Sequence, residues 1–206
     1  DDVSVKEELN RSIPIIESIL KEFPSCLISV YTFRSEIAKA AVEVGASLVN
    51  DISAGALDKN MMRTIAQMQV PYIMMHMRGT PQTMSTFTEY HNITKDILFY
   101  FSEKIAEANN LGINDIILDV GFGFAKTREQ NFELLKHLHV FNHLELPMLV
   151  GLSRKSTIYK TLDTSAEKAL NGTTAMHAWA LQQGGNILRV HDVKEAMEVV
   201  TLYNQF

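Results

Sequence analysis

The chain has 206 residues, 46% of them apolar and 21% charged, with a formal net charge of −5. That length supports one substantial domain with an ordinary globular balance, and the acidic excess argues against a general nucleic-acid binder, a local basic patch aside. No apolar run approaches the roughly 18–20 residues of a membrane-spanning helix.

The opening Asp1–Asp2–Val3–Ser4 lacks the basic flank and apolar core of a leader and has no initiator Met, so we expect a longer or processed protein around it. Ser4 and Glu7 have the spacing of a capping box. Apolar residues then recur at helical spacing (Leu9, Ile13, Ile16, Leu20), with Pro14 expected to kink the helix and Pro24 to end the segment.

Six strand-and-helix units follow. The first strand is expected over 26–31, its helix over 35–44, closed by Gly45. Cys26, the single cysteine, reads as a buried thiol at the start of that strand, and one cysteine excludes an internal disulfide. This usage fits a reducing compartment and leads us to expect a cytoplasmic protein. The second strand is expected over 47–52 with a helix near 57–68, and the third over 71–76, followed by a polar loop and a long helix over 93–111. The fourth covers 115–120, with a Gly/Phe loop and a helix near 129–138. The fifth covers 147–152 with a helix over 166–183, and the sixth 187–191 with a last helix over 193–204.

Strict alternation of short apolar strands with helices implies a parallel sheet with helical crossovers, covered on both faces. An open doubly wound sheet would carry a Gly-rich phosphate fingerprint after its first strand, and none is present. Instead nearly every strand ends in polar residues: Tyr31–Thr32, Asn50–Asp51, His76, Asp119, Ser153–Lys155 and Arg189–Asp192. Chemistry spread over many strand ends predicts a (β/α)8 barrel, with about six of its eight strands here.

Arg189 and His191 are two apart on a strand and point to one side. With Arg154 and Lys155 one strand back, up to four donors could gather around one anion; the plainer alternative is solvated loop cations. Asp119 could accept paired N–H bonds from a heterocycle with an amidine-like edge, or simply cap a loop. Asn50 suits the same planar polar ligand, and of the pair Asn50–Asp51 one is expected to be structural. Phe122 and Phe124 could wall a flat ligand by stacking, and Met74–Met77 could pack against a ring or fill core. The seven histidines include no pair at metal-ligand helical spacing, so no protein metal site is expected, and no hydrolase nucleophile motif appears.

Taken together, Ile28–Ser29–Val30–x–Thr32, Val49–Asn50–Asp51–Ile52, Met75–His76–Met77–x–Gly79–x–Pro81, Leu118–Asp119–x–Gly121–Phe122–Gly123–Phe124, Gly151–x–Ser153–Arg154–Lys155–Ser156 and Arg189–Val190–His191–Asp192–Val193 resemble the dihydropteroate synthases, in that family's order and over essentially the whole chain. The resemblance implies one pterin-binding barrel domain over 1–206 that lacks the family's first two strands. It implies a transferase of folate biosynthesis that joins 6-hydroxymethyl-7,8-dihydropterin diphosphate to p-aminobenzoate, releasing diphosphate, with Mg2+ assisting and a homodimer as the common assembly. By motif match Asn50, Asp119 and Lys155 hold the pterin, with Met75, Phe124 and Gly151 lining its slot. Arg189 and His191 hold the diphosphate; Ser153 belongs to the substrate-binding set, and Arg154 and Ser156 border the aminobenzoate, Arg154 by stacking. Asp119, Lys155, Arg189 and His191 are the implied catalytic group.

The chain departs from the family where Tyr31 stands for an Asp that contacts pterin, Val120 for a Pro and Ala125 for a Gly. The Asn that binds Mg2+ in the family falls in the first missing strand. Two other readings compete: a truncated or degenerate pterin-binding module without turnover, and a pterin-binding methyltransferase domain, which the Ser–Arg–Lys–Ser stretch disfavours.

Overall fold

The structure, a computed structural model, describes residues 3–206. Asp1 and Asp2, which open the segment read for leader character, lie outside them. Six strands follow one another in the sheet in chain order, β1 (Ser29–Tyr31), β2 (Leu48–Asp51), β3 (Tyr72–Met75), β4 (Ile116–Asp119), β5 (Met148–Val150) and β6 (Ile187–Leu188). A doubly wound sheet reverses strand order at a switch point; here no reversal occurs, and each crossover steps to the next strand. The described residues divide into two compact units, 3–75 with 103–117, and 76–102 with 118–206.

The first unit opens with α1 (Val5–Glu22), whose Ser4 hydroxyl accepts from Glu7 N at 3.2 Å. The helix runs unbroken through Pro14. Next come β1, α2 (Ser35–Glu43), β2, α3 (Met61–Met68) and β3, with β1, β2 and β3 paired in parallel register, Val30 opposite Val49 and Val49 opposite Tyr72. The helices bury Ile37, Ala38, Ala41, Met61 and Ile65 completely. The β1 ladder starts at Ser29, three residues later than expected, because the residues before it do not pair as strand. This corrects the reading of Cys26: it lies in the connection between α1 and β1 and is exposed, beside an exposed Leu27.

The second unit holds α5 (Arg128–Lys136), α6 (Ser156–Tyr159), α7 (Leu170–Gln182) and α8 (Val193–Tyr203), with β5 paired in parallel to β6 and Leu118 of β4 opposite Met148. α4 (Ile93–Asn110) starts in this unit and ends in the first. The rings of Phe101 and Phe141, both fully buried, meet edge to face at 6.2 Å. The helix expected over 166–183 is split: a 3-10 turn at Ala166–Lys168 precedes α7. β6 is two residues long and half exposed, as befits a strand with a partner on one side, whereas β5 is buried throughout.

Candidate functional site

The best-defined polar cluster lies in the second unit, at the C-terminal ends of β4, β5 and β6. Asp119 ends β4 and is buried. A tight loop follows. Asp119 Oδ1 accepts from Gly121 N at 2.8 Å, Phe124 N donates to Gly121 O at 3.0 Å, and Gly123 N donates to the buried Asn131 Oδ1 at 2.7 Å. Thr127 then caps α5 in a full capping box with Gln130. Gly121 is obligatory: its φ is +73°, and a Cβ there would sit 2.1 Å from the His76 carbonyl oxygen. The loop separates the two phenylalanines. Phe122 is buried and offers its carbonyl, while Phe124 keeps partial exposure, so Phe124 alone can face a ring.

Lys155 reaches this loop from beyond β5. Its ammonium donates to Phe122 O and stands 5.0 Å over the Phe124 ring. Lys155 Nζ and Arg189 Nη1 both lie 3.8 Å from where a side chain on Gly151 would begin, so two cations converge on the bare face of that glycine. Burial raises the Asp119 carboxyl above its usual value, opposed in turn by Lys155, the Gly121 amide, Lys126 and Arg189. Burial likewise pulls Lys155 down to about 8, against the pull of Asp119. The result is a nearly dry carboxylate under the influence of nearby cations, with acceptor capacity suited to a cationic or N–H-rich edge.

Ser153 and His191 form a pair. Ser153 Oγ, itself buried, accepts from His191 N at 3.2 Å and lies 2.9 Å from Nδ1, which fixes the ring and leaves Nε2 as its other polar atom. Arg154 does not join Lys155 and Arg189 beside Gly151. Its backbone sits at φ +51°, and its guanidinium forks onto Asp192 with two 2.8 Å bonds while also capping the carbonyls of Ala166 and Glu167. A planar fork matches a carboxylate better than a single phosphate oxygen, so Asp192 takes it and four gathered donors become fewer. Arg154 in turn holds the Asp192 carboxyl below the usual range. Ser156 is exposed at the start of α6.

In the first unit, Asn50 and Asp51 end β2. Asp51 is saturated: Ser53 N and Oγ each donate at 2.8 Å, Gly55 N at 2.7 Å and Tyr72 OH at 2.6 Å. Asn50 is equally buried, but its Oδ1 has no partner, an orphan that a ligand N–H would satisfy. Asp51 is therefore the structural member of the pair. Met75 is buried, and Tyr31 is about half exposed.

Sequence reasoning missed Lys126 and Asn131. Lys126 is a buried lysine whose ammonium bonds Gly121 O at 3.0 Å, Phe124 O at 2.9 Å and His76 Nδ1 at 3.0 Å. The available signal was a lone cation closing the otherwise apolar stretch after Asp119. Among the described residues no three His, Cys, Asp or Glu side chains gather as metal ligands, and the side chains around Gly151 are cations. These residues do not fit a resident Mg2+ site.

The strand ends thus bring together a buried carboxylate with lysines near it, one partly exposed aromatic and a glycine face with two cations beside it. The family model described as pterin binding enzyme matches residues 1–191. The dihydropteroate synthase of Synechocystis is 42% identical over 200 residues, covering 96% of this chain and 69% of that protein. That of Escherichia coli is 40% identical over 205 residues, covering 97% and 71%. The crystal structure of Yersinia pestis dihydropteroate synthase with a sulfonamide drug superposes with a TM-score of 0.95 at 35% identity, over 100% of this chain and 74% of that one. The chain belongs to the dihydropteroate synthase family, a family of transferases, and has its (β/α)8-barrel fold class, here in six parallel strands with their helices.

Proposed function

We propose that the protein condenses 6-hydroxymethyl-7,8-dihydropterin diphosphate with p-aminobenzoate to give 7,8-dihydropteroate and diphosphate, a step of folate biosynthesis. The observation that carries this reading is the buried Asp119 flanked by Lys155 and Arg189. Asp119 accepts N–H bonds from the amidine-like edge of the pterin, and Phe124 packs on its face. The bond between the pterin methylene and the diphosphate oxygen breaks with its electron pair leaving on the diphosphate. Lys155 and Arg189, fixed near Gly151, stabilise that charge as it develops. His191, steadied by Ser153, adds a donor to the same anion. The aminobenzoate nitrogen forms the new C–N bond and then loses a proton, so no activated serine or cysteine is required.

Asn50, with its orphaned Oδ1, is assigned to a ligand N–H, Met75 to apolar packing, and Ser156 to the aminobenzoate. Arg154 borders that second substrate as a strut, because Asp192 holds its guanidinium. We read the chain as a single functional barrel domain acting in the cytoplasm. We also read it as a homodimer, supported by the exposed Trp179, Met197 and Leu202 on α7 and α8.

The test is an assay of dihydropteroate formation and diphosphate release with both substrates and Mg2+ in the buffer. Stoichiometric release of both products is expected. Pterin binding without either product would remove the transferase reading and leave a binding module.

A further inference from the structure

We propose that Lys126 is a positioning residue for the pterin: its ammonium ties Gly121, Phe124 and His76 into one buried knot, and so sets both the turn beside Asp119 and the placement of Phe124. This rests on the pterin reading of the site.

The geometry is specific. A lysine ammonium has three protons, and Lys126 Nζ has three close acceptors, Gly121 O, Phe124 O and His76 Nδ1. His76 Nδ1 must then be the accepting nitrogen, which places the proton of the neutral ring on Nε2. The ring is held in that orientation by the edge of Tyr100, 4.9 Å away. With all three protons committed beneath the loop, Lys126 does not reach a ligand itself. It acts through the Gly121 turn, whose amide grips Asp119, and through the residue that presents its ring.

A lysine placed this deeply is a costly way to brace a loop. Burial brings it down to about 7, with Asp119 raising it and Lys155 and Arg78 lowering it. Its folded value lies below its unfolded one, so global stability rises as pH climbs from about 7 towards the ordinary lysine value. The brace works in the opposite direction: the three-point knot exists only while the proton is present. Burial together with Lys126 and Arg78 holds His76 neutral throughout, so His76 does not supply this transition.

The experiment is a titration of the protein with 6-hydroxymethylpterin, followed by pterin fluorescence, from pH 6 to 7.5. Wild type, Lys126→Met, Lys126→Arg and Asp119→Asn are compared. Wild-type affinity is expected to fall about fourfold over that range as the bracing form is depleted. K126M should bind at least tenfold more weakly at pH 6 and show no such fall. K126R, charged throughout, should keep affinity within a few fold of wild type at pH 6 and also lose the fall. Thermal melts report folding. If K126M does not fold, the K126R and wild-type profiles decide the matter. The reading of the site is checked separately: it fails if D119N binds as wild type does. The positioning role fails if D119N loses binding while K126M, or K126R in its place, reproduces both wild-type affinity and its pH dependence.

Discussion

Two carboxylates stand at the ends of parallel strands in this molecule, Asp51 after β2 and Asp119 after β4, and they are held in opposite ways. Asp51 accepts four hydrogen bonds from its own turn and from Tyr72, which uses up its lone pairs. Asp119 accepts one from Gly121 and otherwise faces cations, with burial working against its charge. Both are buried and both follow short apolar strands. The difference separates a carboxylate that the fold saturates from one that the fold gives a single N–H donor at a cost, which is what the proposed pterin-binding role of Asp119 requires.

Breaking each in turn gives the largest contrast. Asp51→Ala strands four donors in a buried turn and should cost about 4 kcal/mol, or roughly 10 °C in Tm for a chain of this size, measured by thermal or chemical denaturation. Asp119→Asn should behave differently. Its folded value is raised, so above the ordinary carboxylate range the folded state carries a charge that the unfolded state carries more cheaply; stability falls as pH rises through that window. D119N should leave Tm unchanged or higher at neutral pH while weakening pterin binding about a hundredfold, roughly 2.7 kcal/mol. Equal losses of stability in the two variants would erase the distinction.

The strand ends were legible in the sequence because a short apolar run that stops on charge seldom arises except where a core strand reaches solvent or a site. The alternation of units was legible for the same reason, since periodicity reports which faces are covered. What stayed hidden depends on contacts that only folding makes. Lys126 is one charge among 19 Lys and Arg in sequence, and becomes particular only when the carbonyls of Gly121 and Phe124 turn inward to meet it. Arg154 read as an anion donor from its position after β5, yet a carboxylate 38 residues away, Asp192, claims its fork. Cys26 read as core because apolar neighbours imitate a strand; the ladder begins past it.

A smaller effect sharpens the view of the β4 side. His76 at the end of β3 is buried and held down to about 2 by burial and by Lys126 and Arg78. The unfolded ring takes a proton below about pH 6.5, and the folded one does not. His76 therefore contributes stability that is complete above that pH and is lost as pH falls, at ~1.4 kcal/mol per unit. Asp119 pulls the other way on acidification, so the difference between wild type and His76→Gln isolates the histidine. Denaturant unfolding at pH 6.5 and 5.5 should show wild type losing about 1 kcal/mol more than H76Q over that unit, because the unfolded ring is already half protonated at pH 6.5. Parallel pH slopes would mean that the ring is protonated in the fold and that Lys126 lacks its third acceptor.

The smallest effect compares the two turns directly. Each places an alanine in left-handed backbone, Ala54 at φ +46° after β2 and Ala125 at φ +50° after β4, and both methyls are buried. An L residue in that region costs about 1–2 kcal/mol. Glycine relieves this but gives up a buried methyl worth about 0.8 kcal/mol and adds about 0.5–1 kcal/mol of unfolded-chain freedom. These contributions nearly cancel, so Ala54→Gly and Ala125→Gly should each move stability by no more than about 0.5 kcal/mol, within ~2 °C of Tm. A gain at Ala125 well beyond that at Ala54 would show that the turn after Asp119 stores strain which the turn after Asp51 does not. The cost of holding Asp119 in place would then lie partly in the backbone as well as in the burial of its charge.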